Sequence, residues 1–222
     1  MRTIALSALL VFASVSQAAE PQPRELITKQ LPGGEIEGWK SFHAGGSTKT
    51  GDVWKLQADG ILICKGTPLG YLYTEKNYKD VSMELEWRWP PEGKPGNGGL
   101  LLRVAGEHKI WPKSLEVQLN NGQAGDFWGL GGYTLAGPAD RMESMDHKEF
   151  GKLTHVKFAK KLERPAGQWN QCKVQLKGGS IRVEINGEPA NAANDCEVLA
   201  GPIVLTSEGS EIQFRHVRLL SE

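Results

Sequence analysis

Nearly every apolar run in this chain repeats with a period of two, and that alternation narrows the available folds more than any other feature. Residues 81–89 alternate without a fault. Val81, Met83, Leu85, Trp87 and Trp89 fall on one side, and Ser82, Glu84, Glu86 and Arg88 on the other. A strand sends successive side chains to opposite faces, so this segment reads as a β-strand with one face buried. Residues 115–119, 174–176, 181–185 and 212–216 repeat the pattern. Turn signals separate them: Asp59-Gly60, Pro95-Gly96-Asn97-Gly98, Lys177-Gly178-Gly179 and Asn186-Gly187. The last two bracket residues 181–185 as hairpin loops would. Many short strands without intervening helices predict an all-β, antiparallel, two-sheet sandwich or a barrel. Residues 138–149 are the one weakly helical stretch and read as a surface loop.

The N-terminus reads as a targeting segment. Arg2 precedes an apolar run over residues 4–15, and Ser16 and Ala18 supply small residues before Glu20-Pro21. That is the form of a secretory signal peptide, residues 1–18, which predicts a secreted or periplasmic protein. The run is short for a membrane span, and no later apolar stretch is long enough. Residues 19–37 read as a lead-in segment and 38–222 as one domain. The chain holds 26 basic and 26 acidic residues without basic blocks. This balance argues against a nucleic-acid partner, whose binding rests on phosphate neutralisation. Small or neutral ligands remain. Of the three cysteines, Cys172 and Cys196 flank a segment expected to turn back on itself, which predicts a disulfide between them. Cys64, alternating with Leu62, is expected as a core thiol.

Seven tryptophans stand in the chain. Trp54, Trp87, Trp89 and Trp169 occupy strand-like positions and are expected in the core. Trp128 lies in the glycine-rich stretch 124–132, where it either stacks on a sugar ring or packs beneath a loop. With Leu115, Val117 and Leu119 facing the core, Ser114, Glu116 and Gln118 share the opposite face. Arg103 shares a strand face with Leu101. Glu208 ends the strand-like stretch 203–207 at a glycine turn. Convergence of Arg103, Glu116, Gln118 and Glu208 would make a polar site able to bind hydroxyls and move protons. Two glutamates and a glutamine could also offer oxygens to a hard divalent cation. The chain shows no Gly-x-Ser-x-Gly elbow, phosphate loop or dinucleotide fingerprint, and its five histidines lack metal-ligand spacing.

Several ordered blocks resemble the 3-keto-disaccharide hydrolase family. They include Gly38-Trp39, residues 61–66 and 70–74, Asn97 to Arg103, Ile110 to Gln118, Ala124 to Trp128, Gly167 to Asn170, residues 183–187, and Leu205 to Arg215. The resemblance implies a concanavalin A-like jelly roll whose broad face handles a carbohydrate. It also implies cleavage of glycosides whose glucose unit carries a ketone at C3. Such a ketone acidifies the C2 proton, so Glu116 or Glu208 could act as base and expel the C1 substituent by elimination. An arginine or a divalent cation would stabilise the enolate oxygen. Arg103, Glu116, Gln118 and Glu208 match the family's recurring polar positions, with Trp128 and Lys65 expected at the edge of the site. A non-catalytic carbohydrate-binding module with the same face is the alternative.

Overall fold

The computed structural model describes residues 22–92 and 94–222, so the expected signal peptide lies outside the described residues. The first strands are β1 (Arg24–Glu25), β2 (Trp39–His43), β3 (Trp54–Leu56), β4 (Leu62–Cys64), β5 (Gly70–Thr74) and β6 (Val81–Arg88). A single helical turn, α1 (Thr50–Val53), separates β2 from β3. Next come β7 (Gly99–Ala105), β8 (Lys113–Gln118), β9 (Phe127–Leu130), β10 (Met142–His147) and β11 (Gly151–Val156). The chain ends with β12 (Asn170–Lys177), β13 (Ser180–Ile185), β14 (Glu188–Ala193), β15 (Val204–Ser207) and β16 (Ile212–Ser221).

The strands form two eight-stranded antiparallel sheets, a jelly-roll sandwich. The first runs β14-β13-β12-β6-β16-β4-β3, with β1 beside β16. The second runs β10-β11-β9-β8-β7-β15-β5-β2. The alternation in β6 holds: Val81, Met83, Leu85 and Trp87 are buried between the sheets, and the residues between them are half-exposed. The turn from β13 to β14 uses Asn186 at φ 54° and Gly187 at φ 82°. Two successive positive φ values match the twist of a tight hairpin, which is why asparagine and glycine stand there. Residues 24–25, within the expected lead-in, already pair with β16. Among the described residues no helix is long and apolar enough to cross a membrane.

Four expectations need correction. Residues 142–147, expected in a surface loop, form β10 and pair with β11 from Met142↔Val156 to His147↔Gly151. Trp128 sits on a strand, β9, rather than in a loop. Trp54, Trp87 and Trp89 are core residues, but Trp169 lies half-buried outside the first sheet. There the guanidinium groups of Arg88 and Arg215 stand 4.5 and 4.2 Å from its ring centroid.

The expected Cys172–Cys196 disulfide is also absent: all three cysteines are free and buried. The segment between Cys172 and Cys196 makes two hairpins, not one. Cys172 pairs with Ile185 at one end of β13. The N–H of Cys196 donates to the Gly179 carbonyl beyond the other end. Six residues at about 3.3 Å each separate the two by roughly 20 Å, against a disulfide limit of about 7 Å. Burial pushes the Cys64 thiol up to about 12, Cys172 to about 12 and Cys196 to about 11, so all remain protonated.

Candidate functional site

The second sheet aligns one residue from each of its eight strands in a single row. From edge to edge it reads Lys40, Tyr73, Val204, Leu101, Glu116, Trp128, His155 and Glu143. Leu101 and Val204 belong to a small apolar cluster on the outer face, separate from the inter-sheet core. Tyr73 and Trp128 pack against it, so the row looks outward. Directly opposed residues in a sheet touch. Glu116 therefore stands in mid-sheet, with apolar Leu101 on one flank and Trp128 on the other.

A neighbouring row supplies the room Glu116 needs. It contains Phe42, Tyr71, Thr206, Gly99 and Gln118, and the glycine leaves a gap in mid-sheet. The Glu116 carboxyl fills that gap: a Cβ added to Gly99 would lie 2.2 Å from its Oε1. Beyond Thr206 the chain reaches Glu208, which bridges to Asn97. The Asn97 amide donates to Glu208 Oε2. Glu116 and Glu208 thus meet across Gly99 and Thr206 on one face.

Both carboxyls are pushed above the usual carboxylate range. Glu116 is 3% exposed. Its burial is the main cause, and the charge of Glu208 adds to it. Burial also raises Glu208, but the Thr206 hydroxyl and the Trp111 indole beside it favour its charged form and pull it part of the way back. Among the described residues, every buried side-chain oxygen without a partner belongs to this trio: Asn97 Oδ1, Glu116 Oε1 and Glu208 Oε1. Buried acceptors without donors are costly and uncommon. They are acceptors ready for a proton, substrate hydroxyls or a hard cation. No three His, Cys, Asp or Glu side chains gather as a metal group among the described residues.

The other expected site residues divide. Gln118 lies on the same face as Glu116; its Oε1 accepts from the N–H groups of Leu119 and Asn120, which leaves its NH2 as the hydrogen-bearing end. Trp128 is the cross-strand neighbour of Glu116. Lys65 is exposed just past β4, in the first sheet. Arg103 does not join. It adopts φ 54° within a break in register between Leu102 and Ala105. A bulge adds a residue and reverses the alternation beyond it, so Val104 rather than Arg103 follows Leu101 on the outer face. Arg103 turns inward, 1% exposed. It donates to the carbonyls of Lys79 at 3.0 Å, Glu197 at 2.8 Å and Gly178 at 2.7 Å, and pairs with Asp80 at 3.2 Å. It clamps the two sheets together.

Sequence reasoning missed Asn97, Thr206, Tyr71 and Trp111. The parity signal for Tyr71 and Thr206 was present, since each alternates with a core leucine, Leu72 or Leu205. Trp111 carried no such signal. It sits off the strands at φ 56°, a value rare for a bulky residue, and lines a small cleft with Tyr71, Leu101, Thr206 and Glu208.

The two-sheet sandwich is shared by several solved structures. A Parabacteroides distasonis protein described as a candidate glycosyl hydrolase is 18% identical over 86% of this chain and 91% of its own, with a TM-score of 0.58. The Bacillus licheniformis β-glucanase is 10% identical over 93% and 100%, at 0.56. The carbohydrate-binding module CBM66 of Bacillus subtilis is 13% identical over 81% and 93%, also at 0.56. At these identities the likeness shows a common fold. Comparison with curated proteins found no match. Residues 27–220 match the family described as the 3-keto-alpha-glucoside-1,2-lyase-like domain, and the chain belongs to that family.

Proposed function

We propose that this protein is a secreted or periplasmic enzyme that cleaves 3-keto-glycosides, with Glu208 as base and Glu116 as acid. The observation that carries the reading is the meeting of two buried carboxyls on one sheet face, each with an oxygen that has no partner. Glu116, raised by burial and by its neighbour's charge, holds a proton. Burial raises Glu208 as well, but Thr206 and Trp111 favour its charged form and hold it back, which makes it the group to take one. Two carboxyls in one site with separated proton affinities divide acid and base roles between them.

The steps balance. Glu208 removes the proton at C2, which the C3 ketone acidifies, and the electron pair passes into the enolate. Collapse of the enolate forms the C1–C2 double bond and breaks the bond from C1 to the leaving oxygen, which takes the proton of Glu116. Elimination yields an unsaturated 3-keto sugar and a free alcohol. Addition of water would complete hydrolysis: Glu116 takes a water proton as oxygen bonds to C1, and Glu208 returns its proton to C2. Arg103, committed to backbone carbonyls, is unavailable for the enolate oxygen, and the Gln118 NH2, on the same face as Glu116, is the donor assigned to it. A purely binding module gains little from this arrangement, because sugar hydroxyls can be held by exposed polar groups without burying two carboxyls. The N-terminal apolar segment supports export.

Incubation with a 3-keto-disaccharide tests the reading. Release of the alcohol, together with C2 deuteration in D2O, is expected from the wild type. Glu208→Gln should lower turnover by about 10²-fold or more and abolish C2 exchange. Saturable sugar binding without release of any alcohol from 3-keto substrates would overturn the enzyme.

A further inference from the structure

Beside Glu116, the outward row ends in three residues that the proposed chemistry does not use: Trp128, His155 and Glu143. The indole and imidazole rings stack, with centroids 3.9 Å apart and planes 5° from parallel. His155 is 3% exposed. Its Nε2 lies 2.7 Å from Asp126 Oδ2, and its Nδ1 lies 3.0 Å from Glu143 Oε1. A ring held between two carboxyl groups is favoured with hydrogen on both nitrogens, as a cation. Burial alone would lower its proton affinity, but the two carboxylates overcome that and raise it. Asp126 is fixed in turn: its Oδ1 accepts from the Phe158 N–H at 2.7 Å, and its backbone carbonyl accepts from the Gln118 N–H at 2.9 Å. Lys157 also approaches Glu143, at 3.5 Å.

A buried imidazolium pressed flat against a half-exposed indole holds that ring at a fixed angle, helped by attraction between the cation and the π-face. One face of Trp128 is thereby occupied. The other looks toward β8, where Glu116 leans away from it over Gly99. A fixed aromatic face next to an acid group fits the apolar C–H face of a pyranose ring, where aromatic contact gives both affinity and orientation.

We propose that Trp128 is the stacking platform for one gluco-configured pyranose at the subsite adjoining Glu116, and that His155, clamped by Asp126 and Glu143, is the positioning residue that holds the platform in place. The assignment rests on the carbohydrate reading above but not on cleavage, because the same platform would serve a binding module.

The test measures binding and turnover separately in the full chain. Calorimetric titration with an unoxidised gluco-disaccharide, which cannot react, reports the platform alone. Trp128→Ala should weaken binding tenfold or more, and Trp128→Phe by no more than about threefold. His155→Leu, which keeps bulk but loses the clamp, should raise the KM for a 3-keto-disaccharide about tenfold and leave kcat within about threefold. His155→Gln, which retains hydrogen bonding to Asp126, should recover part of that loss. Near-ultraviolet circular dichroism identifies any variant that has failed to fold, in which case Trp128→Phe and His155→Gln carry the comparison. Unchanged affinity in Trp128→Ala would overturn the platform even if 3-keto cleavage persists. A wild type that binds no gluco-disaccharide would overturn it as well. A kcat that falls in His155→Leu with KM unchanged would remove the positioning role. Binding through Trp128 with no turnover would leave the platform standing and remove the enzyme.

Discussion

The outer faces of the two sheets use the same residue type in opposite ways. On the first sheet, Glu84 and Glu86 alternate with core residues and meet cations: Glu86 pairs with Arg215 at 2.6 Å, and Glu84 with Arg218 at 3.5 Å. On the second sheet, Glu116 alternates with core residues just as regularly, yet it lies under cover beside another carboxylate. Alternation alone produces both glutamates. What separates them is the surroundings: Leu101 and Trp128 flank Glu116, Tyr71 and Trp111 line the cleft beside Glu208, and Glu84 and Glu86 stay partly open to water. A solvated ion pair contributes little, whereas a buried carboxylate without a donor stores free energy against folding that chemistry can use.

The largest way to break this contrast is at the buried cation. Arg103→Ala should destabilise the fold by about 3–5 kcal/mol, because Asp80 and three carbonyls lose their shared donor. Chemical denaturation would show this as a lower midpoint, and a shift smaller than about 1 kcal/mol would contradict the clamp. Glu116 should behave in the opposite sense. Its folded-state proton affinity is raised, so its contribution favours folding below the unfolded value of about 4.3 and is lost as pH rises through the folded value. Glu116→Gln should therefore match the wild type in melting temperature near pH 4 and exceed it increasingly toward pH 7. A constant gap across that range would refute the assignment.

Gly99→Ala probes the same carboxyl sterically. The added methyl would lie 2.2 Å from Glu116 Oε1, 3.0 Å from Cδ and 3.1 Å from Cγ, so the carboxyl must leave the gap it fills. Turnover is expected to fall about tenfold or more, since displacement of a reacting group by about 1 Å is costly. The smallest effect should come from the exposed face. Glu86→Gln is expected to change stability by less than about 1 kcal/mol, and less still in high salt.

Much of the architecture was legible because period two was nearly unbroken, and β6 and the Asn186-Gly187 hairpin follow directly from it. The positions of Glu116 and Gln118 on one face were legible for the same reason. Parity failed at Arg103, where one bulged residue reversed the alternation without any glycine or proline to announce it. It also failed to predict partners across strands distant in sequence, as with Trp128 and His155, because which strands neighbour one another is not written in local pattern. The disulfide expectation failed for a topological reason: a segment with two reversals ends far from where it began.

The eight-residue row has one more consequence, which concerns insertion and deletion. Its members are drawn from residues 40 to 204, yet each holds its place only through the register of its own strand. Adding or losing one residue within β8 ahead of Glu116 would send that carboxyl into the inter-sheet core and bring Leu115 or Val117 out in its place. The same change in the loop between β9 and β10 would leave the row untouched. Lineages of this fold should therefore vary freely in loop length while tolerating changes within these eight strands only in pairs, unless a bulge such as the one at Arg103 absorbs the odd residue.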